Sequence, residues 1–327
     1  MFRSFSIVFF ASILLFSGCR DKKDFIGPEY AVASSNFKIS AFTSGLSSVN
    51  FENKEHQYFV ANFTDRVSWK IILQGQESNA IKIIEGLSDE INKSNSSWNG
   101  VHDGTRFFNN EKVLATLSFI GTDQTTSSEF SISAPIKYPE AVKLGNGFEG
   151  AAWQGPWFDP GEDNGSGKTN QLSIQGKSGY RLKGTDLSGN YYMGVIRKAY
   201  NSELPENAEE VYFNIYAYGV GDATSVLKLA GKEDENGNRT FDDASEDAWE
   251  KEILLGHHGW KLFSFKYADF NRAADKNFGG NGNNKREPHK IVAVDIALQT
   301  TTPKSSAEAI FDFPIITVGK PFQPDIF

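Results

Sequence analysis

The side chains best equipped for chemistry in this sequence are flat rings: 327 residues include 6 Trp, 11 Tyr and 27 Phe, against 2 Met. Indole and phenol rings offer apolar planes with a polar handle, so they act as stacking surfaces wherever they reach solvent. Trp153 and Trp157 stand in Trp-Gln-Gly-Pro-Trp-Phe-Asp-Pro-Gly, whose proline and glycine residues predict a loop, and a loop can hold an indole in water. Other candidate chemistries are thinner. Asp234-Glu235-Asn236-Gly237-Asn238-Arg239-Thr240-Phe241-Asp242 sets oxygen-bearing side chains at alternate positions, as calcium loops do. Its glycine falls at loop position 4 where 6 is required and Ser245 replaces the closing glutamate, so Asn-Gly favours a plain hairpin turn. Gly161 to Thr169 has the look of a phosphate loop, but Glu162 occupies a required glycine position and no apolar parallel strand precedes it, which excludes that reading. His257-His258, flanked by Gly256 and Gly259, reads as a turn. No serine sits in Gly-x-Ser-x-Gly, and the 41 acidic residues single out no pair of carboxylates for general acid and base work.

Composition narrows the partners. Lys and Arg number 33 against 41 Asp and Glu, a formal net charge of −8 with no sustained basic run, which argues against binding nucleic-acid phosphates. One cysteine excludes a disulfide framework and a clustered cysteine zinc site. The length allows one large domain or two ordinary ones.

The elements that must position the rings read as strands throughout. From Phe37 to about Pro135 short β-prone runs alternate with polar turns: Phe37-Lys38-Ile39, Tyr58-Phe59-Val60, Val67 to Ile72, Lys82-Ile83-Ile84, Val113 to Phe119 and Phe130-Ser131-Ile132. Within that span Trp69 and Trp98 are expected as core or corner residues. Proline in Ala134-Pro135 and Tyr138-Pro139 interrupts the pattern, and a second domain is expected to open near Ala141. There, Val211, Phe213, Ile215 and Ala217 alternate with Tyr212, Asn214, Tyr216 and Tyr218, giving one core face and one aromatic-polar face. Val292, Val294, Ile296 and Leu298 likewise turn inward, leaving Ala293, Asp295, Ala297 and Gln299 on the opposite face. Further strands are expected at 191–197, 225–230, 260–267 and 310–318, and Trp260, entering an apolar strand, is expected in the core. No long helix-period run occurs, so the chain reads as all-β and as an antiparallel sandwich rather than an α/β enzyme.

Residues 1–18 carry Arg3, the apolar run Ile7 to Phe16, then Ser17-Gly18 before Cys19, which is the plan of a secretory signal. The small residues before the sole cysteine resemble the lipobox of bacterial lipoproteins, which implies cleavage before Cys19 and its lipidation; the alternative is a free cysteine beside an ordinary signal cleavage site. Acyl chains contribute about 0.8 kcal/mol per buried CH₂, so two or three would hold a soluble domain on a membrane. Residues 19–36, polar and rich in small residues, are expected as a flexible tether.

Trp69-Lys70-Ile71-Ile72, Ser97-Trp98-Asn99-Gly100, Asp103-Gly104 and Lys112 to Leu117 together resemble the immunoglobulin-like modules of bacterial surface proteins, which implies a spacer sandwich over 37–138. Asn146-Gly147-Phe148-Glu149-Gly150-Ala151-Ala152-Trp153, Gly259 to Phe270 and Ile310-Phe311-Asp312-Phe313-Pro314-Ile315 resemble the strands of jelly-roll, galactose-binding-like carbohydrate-binding modules, over 141–320. That resemblance implies a structural calcium ion held by Glu149 and Asp312, which are otherwise surface-exposed strand-end charges. It also implies a glycan site of aromatic planes flanked by groups that bond hydroxyls, for which Trp153, Trp157, Tyr191, Tyr192, Tyr216, Tyr218 and Trp249 supply rings, and Asn214, Lys228, Asp295 and Gln299 supply partners. Each tryptophan could instead pack inside; Trp157 and Trp249 are the expected ligand contacts.

Anchor, tether, spacer and distal module in that order resemble the surface glycan-binding lipoproteins of Bacteroidetes polysaccharide-uptake systems. The resemblance implies an outer-membrane, cell-surface protein that captures a polysaccharide, a glucan or related glycan, without cleaving it and passes it to a neighbouring transporter complex and glycanases. Two alternatives stay open: a lipid-anchored glycan lyase or hydrolase, and a structural or adhesion lipoprotein that binds another envelope protein.

Overall fold

The computed structural model describes residues 31–104, 106–136, 148–149, 153–170, 172–201, 203–274 and 278–323. Cys19, the expected signal, most of the expected tether and the expected domain boundary lie outside the described residues. Strands are the dominant regular element of the described chain, as alternating apolar and polar residues with Gly, Asn and Asp turns dictate.

Among the described residues, six strands build the first unit: β1 (Thr43–Ser44), β2 (Ser48–Asn50), β3 (Phe59–Gly75), β4 (Ile81–Ile91), β5 (Lys112–Phe119) and β6 (Thr125–Ala134). Their order is β1-β3-β5-β6-β2, with β4 on the other side of β3. The long β3 carries Val67, Trp69, Ile71 and Leu73 into a core shared with Val113, Ala115 and Leu117 of β5 and Phe130 and Ile132 of β6. Trp69 and Trp98 are both buried, their indole N–H groups donating to Ser88 Oγ at 2.8 Å and to the Val101 carbonyl at 2.7 Å. Gly86 faces Trp69 across the ladder, and a Cβ there would lie 2.2 Å from the indole, so only glycine admits that ring. The expected tether extended to residue 36, but its last residues are pinned to this unit. Ser68 N donates to the Ala31 carbonyl at 2.9 Å and Ala33 N donates to the Ile120 carbonyl at 3.1 Å, because β3 and the loop after β5 leave backbone groups that the incoming chain satisfies.

Among the described residues, eleven strands build the second unit: β7 (Gln154–Phe158), β8 (Gly167–Thr169), β9 (Gly179–Thr185), β10 (Tyr192–Ala199), β11 (Val211–Val220), β12 (Ser225–Glu233), β13 (Ala248–Leu254), β14 (His258–Lys266), β15 (Asn271–Arg272), β16 (Ile291–Thr300) and β17 (Ser306–Val318). They form two antiparallel sheets, β15-β13-β12-β16-β10-β7 and β14-β11-β17-β9-β8. Between the sheets lies the core. Phe213, Ile215 and Ala217 of β11 meet Leu227 and Leu229 of β12, Trp249 and Ile253 of β13, and Val294, Ile296 and Leu298 of β16. The two alternations expected on β11 and β16 therefore point their apolar members inward.

The two units are joined by an aromatic contact. Phe107, in the loop between α1 (Lys93–Ser96) and β5, stacks on Phe313 with centroids 5.1 Å apart, and lies 6.2 Å from Phe322 and 6.3 Å from Tyr216. Phe313 adopts φ 55 within a register shift of β17, an unusual conformation for a bulky residue that breaks the side-chain alternation. Polar contacts flank the rings: Phe107 N donates to the Ile174 carbonyl, Gly176 N donates to Asn109 Oδ1, and Lys177 Nζ pairs with Glu77 at 2.9 Å.

Candidate ligand-binding face

Parity along the six-stranded sheet decides what its outward face carries. On β16, Asp295 lies opposite Arg197 of β10 and Ala230 of β12, and Ala297 lies opposite Val195 and Lys228. Glu250 and Glu252 of β13 extend the same two rungs beside Ala230 and Lys228. On the other side Trp157 of β7 stands opposite Val195. The neighbouring Phe158 turns inward onto Gly194, where a Cβ would lie 2.5 Å from the ring, so the absence of a side chain at 194 lets Phe158 in and sends Trp157 out.

Trp157 is 47% exposed, with the Arg197 guanidinium 5.9 Å from its ring centroid. Tyr191, 45% exposed, sits at φ 70, held by its own N–H donating to Asp186 Oδ2 and by Thr300 N donating to its carbonyl. Asp186 is buried. Burial pushes its carboxyl up, but donors from Lys304, Gly189, Tyr191 and Ser188 outweigh that and hold it below the usual carboxylate range. Tyr192 lays its ring against Phe278 at 4.9 Å, and burial followed by the Asp295 charge pushes its phenol well above the ordinary tyrosine range.

The charges on this face are matched. Arg197 donates from Nε and NH2 to the two Asp295 oxygens at 2.6 and 2.8 Å, a fork that raises the guanidinium further. Lys232 Nζ lies 3.8 Å from Asp295 Oδ2, donates to the Phe278 carbonyl at 2.7 Å, and is pushed down by burial. Lys228 Nζ pairs with Glu250 at 3.0 Å and lies 3.8 Å from Glu252. Gln299, in the amide orientation its neighbours require, donates to Glu252 at 3.0 Å and accepts from Lys228 at 2.9 Å. Ala230, Ala293 and Ala297 lie between these groups, so the sheet backbone is nearly bare at its middle. The result is a floor of small residues, fixed donors and acceptors with paired charges, and exposed rings at the margin.

Of the residues expected to contact a glycan, Trp157, Lys228, Asp295 and Gln299 share this face, and Tyr191 opens from the loop that enters β10. Tyr192 stands on that face too, opposite Gln299, and five others do not reach it, among them Tyr218, which lies on the other sheet opposite Trp260. Trp249 is 4% exposed in the core, on the inward parity of β13 opposite Gly231, its N–H donating to Glu233 Oε2 at 3.1 Å and Arg286 lying 4.3 Å from its ring. Trp153 packs against the same core beside Phe148, with ring centroids 5.5 Å apart. Asn214 and Tyr216 do lie on the outward side of β11, but on the other sheet and under the contact between the units. The Asn214 amide donates to the Tyr212 carbonyl and Thr317 Oγ1 and accepts from Phe322 N, and Tyr216 is buried in the cluster that receives Phe107. Trp260, expected in the core, lies instead on that outer side, partly exposed. Missed in the sequence were Arg197, Lys232, Glu250 and Glu252. The outward parity of Arg197 is legible along β10, but its pairing with β16 joins residues 98 positions apart and leaves no local signal.

Glu149 and Asp312 do come together, on one loop. Glu149 Oε1 accepts from the amides of Lys177 and Ser178, and Asp312 Oδ2 accepts from those of Ile174 and Gln175 at 2.7 and 3.1 Å, with Phe313 N donating to Oδ1. Asp312 is fully buried, and burial, reinforced by the Glu149 charge, lifts its carboxyl to about 7. A calcium ion takes six to eight oxygens. The described donors turned toward these carboxylates are amide N–H groups, and among the described residues no three His, Cys, Asp or Glu are placed to hold a metal, so the described donor set does not fit that ion. The Asp234 loop is a hairpin connection between β12 and β13, in which Asp234 accepts from the amides of Gly237, Asn238 and Arg239.

No family model and no curated protein matches the sequence. Among solved structures, the chain is similar to a family 11 carbohydrate-binding module from Clostridium thermocellum in complex with a β-1,3-1,4-mixed-linked tetrasaccharide, at 16% identity and TM-score 0.40, over 54% of this chain and 95% of that one. A family 30 carbohydrate-binding module of a Clostridium thermocellum cellulosomal cellulase follows at 14% identity and TM-score 0.34, over 54% and 96%. A xylan-binding domain of family 22 is 15% identical with TM-score 0.31, over 55% and 97%.

Proposed function

We propose that the outward face of the six-stranded sheet binds a polysaccharide, a glucan or related glycan, without cleaving it. The observation that carries this reading is the half-exposed Trp157 ring beside the Arg197–Asp295 fork on a face floored by alanine. A sugar ring needs an apolar plane for its C–H face and fixed donors and acceptors for its hydroxyls, and this face supplies both with its charges already neutralised in pairs. Affinity electrophoresis through gels containing β-glucan, xylan or mannan tests it. Retardation that Trp157→Ala reduces supports the reading; free migration in every gel overturns it, and new reducing ends or unsaturated products would replace it with a hydrolase or lyase.

The location belongs to the same proposal. A lipid on Cys19 would tether the protein to the outer membrane, and display on the cell surface would let it hand its polysaccharide to a neighbouring transporter complex and glycanases. The first unit would then serve as an immunoglobulin-like spacer. Repeated weak contacts along one polymer would raise the avidity of many tethered copies. Among the described residues no helix is long and apolar enough to cross a membrane. Metabolic labelling with a fatty acid, lost in Cys19→Ala, together with protease shaving of intact cells, tests the anchor and the side on which it faces.

A further inference from the structure

The outer side of the five-stranded sheet carries a second set of rings that the proposed face does not use. One rung crosses four strands: Trp260 of β14 pairs with Tyr218 of β11, Tyr218 with Ile310 of β17, and Ile310 with Arg181 of β9. Adjacent strands lie about 4.8 Å apart, so the rung is about 14 Å long. The next rung brings His258 opposite Val220, which is 65% exposed, and Lys183 opposite Glu308, with Lys183 Nζ 3.1 Å from Glu308 Oε2.

Two features of this rung point to a ligand. Trp260 and Tyr218 meet at 74° with centroids 5.5 Å apart, forming a corner of two planes. Neither the Trp260 N–H nor the Tyr218 hydroxyl is sealed from solvent without a partner, and neither bonds to another described residue. Further along, Arg181 donates weakly to the Gly165 carbonyl at 3.4 Å and lies 4.0 Å from Glu308, while its Nε is shielded from solvent with no acceptor among the described residues. The exposed part of this side chain, 35% of it, keeps guanidinium N–H donors that these long contacts leave available to a ligand. A partner that puts an apolar plane against an aromatic corner and hydroxyls within reach of free N–H, O–H and guanidinium donors has the chemistry of a sugar ring.

We propose that the Trp260–Tyr218–Arg181 rung is a second glycan-contact site, on the side of the second unit opposite the Trp157 face. It rests on the reading that this unit takes glycans only for the choice of ligand class. One edge of it is set by the contact between the units, since Trp260 also packs on the aromatic cluster that receives Phe107. Two faces on one unit would let it join neighbouring strands of a polysaccharide, or grip one strand that wraps round it.

The test follows the indole N–H resonances of the full-length protein, assigned by single tryptophan substitutions, during titration with hexasaccharides of mixed-linkage β-glucan, xylan and mannan. Saturable shifts of the Trp260 resonance, retained in Trp157→Ala, are expected. In that background Tyr218→Phe and Arg181→Ala, which leave the indole in place, should each raise Kd about threefold to tenfold. Movement of the Trp157 resonance with Trp260 unmoved would overturn this site and leave the first face standing. A Trp260 shift whose Kd ignores both substitutions would overturn the rung as its cause, and silence of both indoles with every hexasaccharide would remove both sites.

Discussion

Arg197 grips Asp295 through two parallel hydrogen bonds, 2.6 and 2.8 Å long, from one strand of the six-stranded sheet to the next. The carboxylate is nearly buried, so its charge is tolerable only while a cation answers it. Arg197→Ala should therefore cost about 2 kcal/mol of stability, moderated because Lys232 remains 3.8 Å away. Urea unfolding of Arg197→Ala, Asp295→Ala and the double variant checks this, and additive losses would show that the fork contributes nothing as a pair.

Trp157 and Trp249 should part company on substitution. Trp157→Ala removes an exposed ring and should weaken polysaccharide binding about tenfold with little change in Tm. Trp249→Ala opens the core and strands Glu233, so a loss of about 3–5 kcal/mol in stability is expected. Binding isotherms and thermal melts of the two variants, measured side by side, decide it.

Two buried carboxyls make folding take up protons. Burial lifts both Asp312 and Glu233 to about 7, above the unfolded values of about 4. A carboxyl raised on folding is protonated more readily in the native state, so its penalty is absent below about pH 4, grows as pH rises and is complete above about pH 7. Each proton taken up slopes stability by up to about 1.4 kcal/mol per pH unit. Between pH 5 and 7.5 the urea midpoint should fall with rising pH by this route; a midpoint that climbs across that window would show that these groups are not the dominant titrating sites.

Chelation should leave the melting temperature unchanged. Amide N–H groups of Ile174 and Gln175 already donate to Asp312 Oδ2, and those of Lys177 and Ser178 to Glu149 Oε1. Calorimetric scans with EDTA and with millimolar calcium provide the check, and a calcium-dependent rise in Tm would restore the metal expected from sequence.

The strands were legible because their period is local. Val211 to Val220 and Ile291 to Thr300 announce an inward and an outward set by alternation alone, and Asp295 and Gln299 fall on the outward set as read. What alternation leaves undecided is whether an outward set meets water. Asn214 and Tyr216 are outward, yet a phenylalanine from a different unit and the chain's own Phe322 cover them. Trp249 escaped for a related reason: its strand mixes Glu250, Lys251 and Glu252 into the pattern, so parity could be set only by knowing that Gly231 stands opposite. Arg197 was invisible because its meaning comes from a strand brought alongside by the fold.

Phe107 has a mechanical implication. A ring seated among Tyr216, Phe313 and Phe322, with Lys177 bound to Glu77 beside it, resists swivelling between the two units. The first unit then behaves as a stiff lever arm rather than a leash, so a force applied at the Trp157 face is felt as torque at its far end.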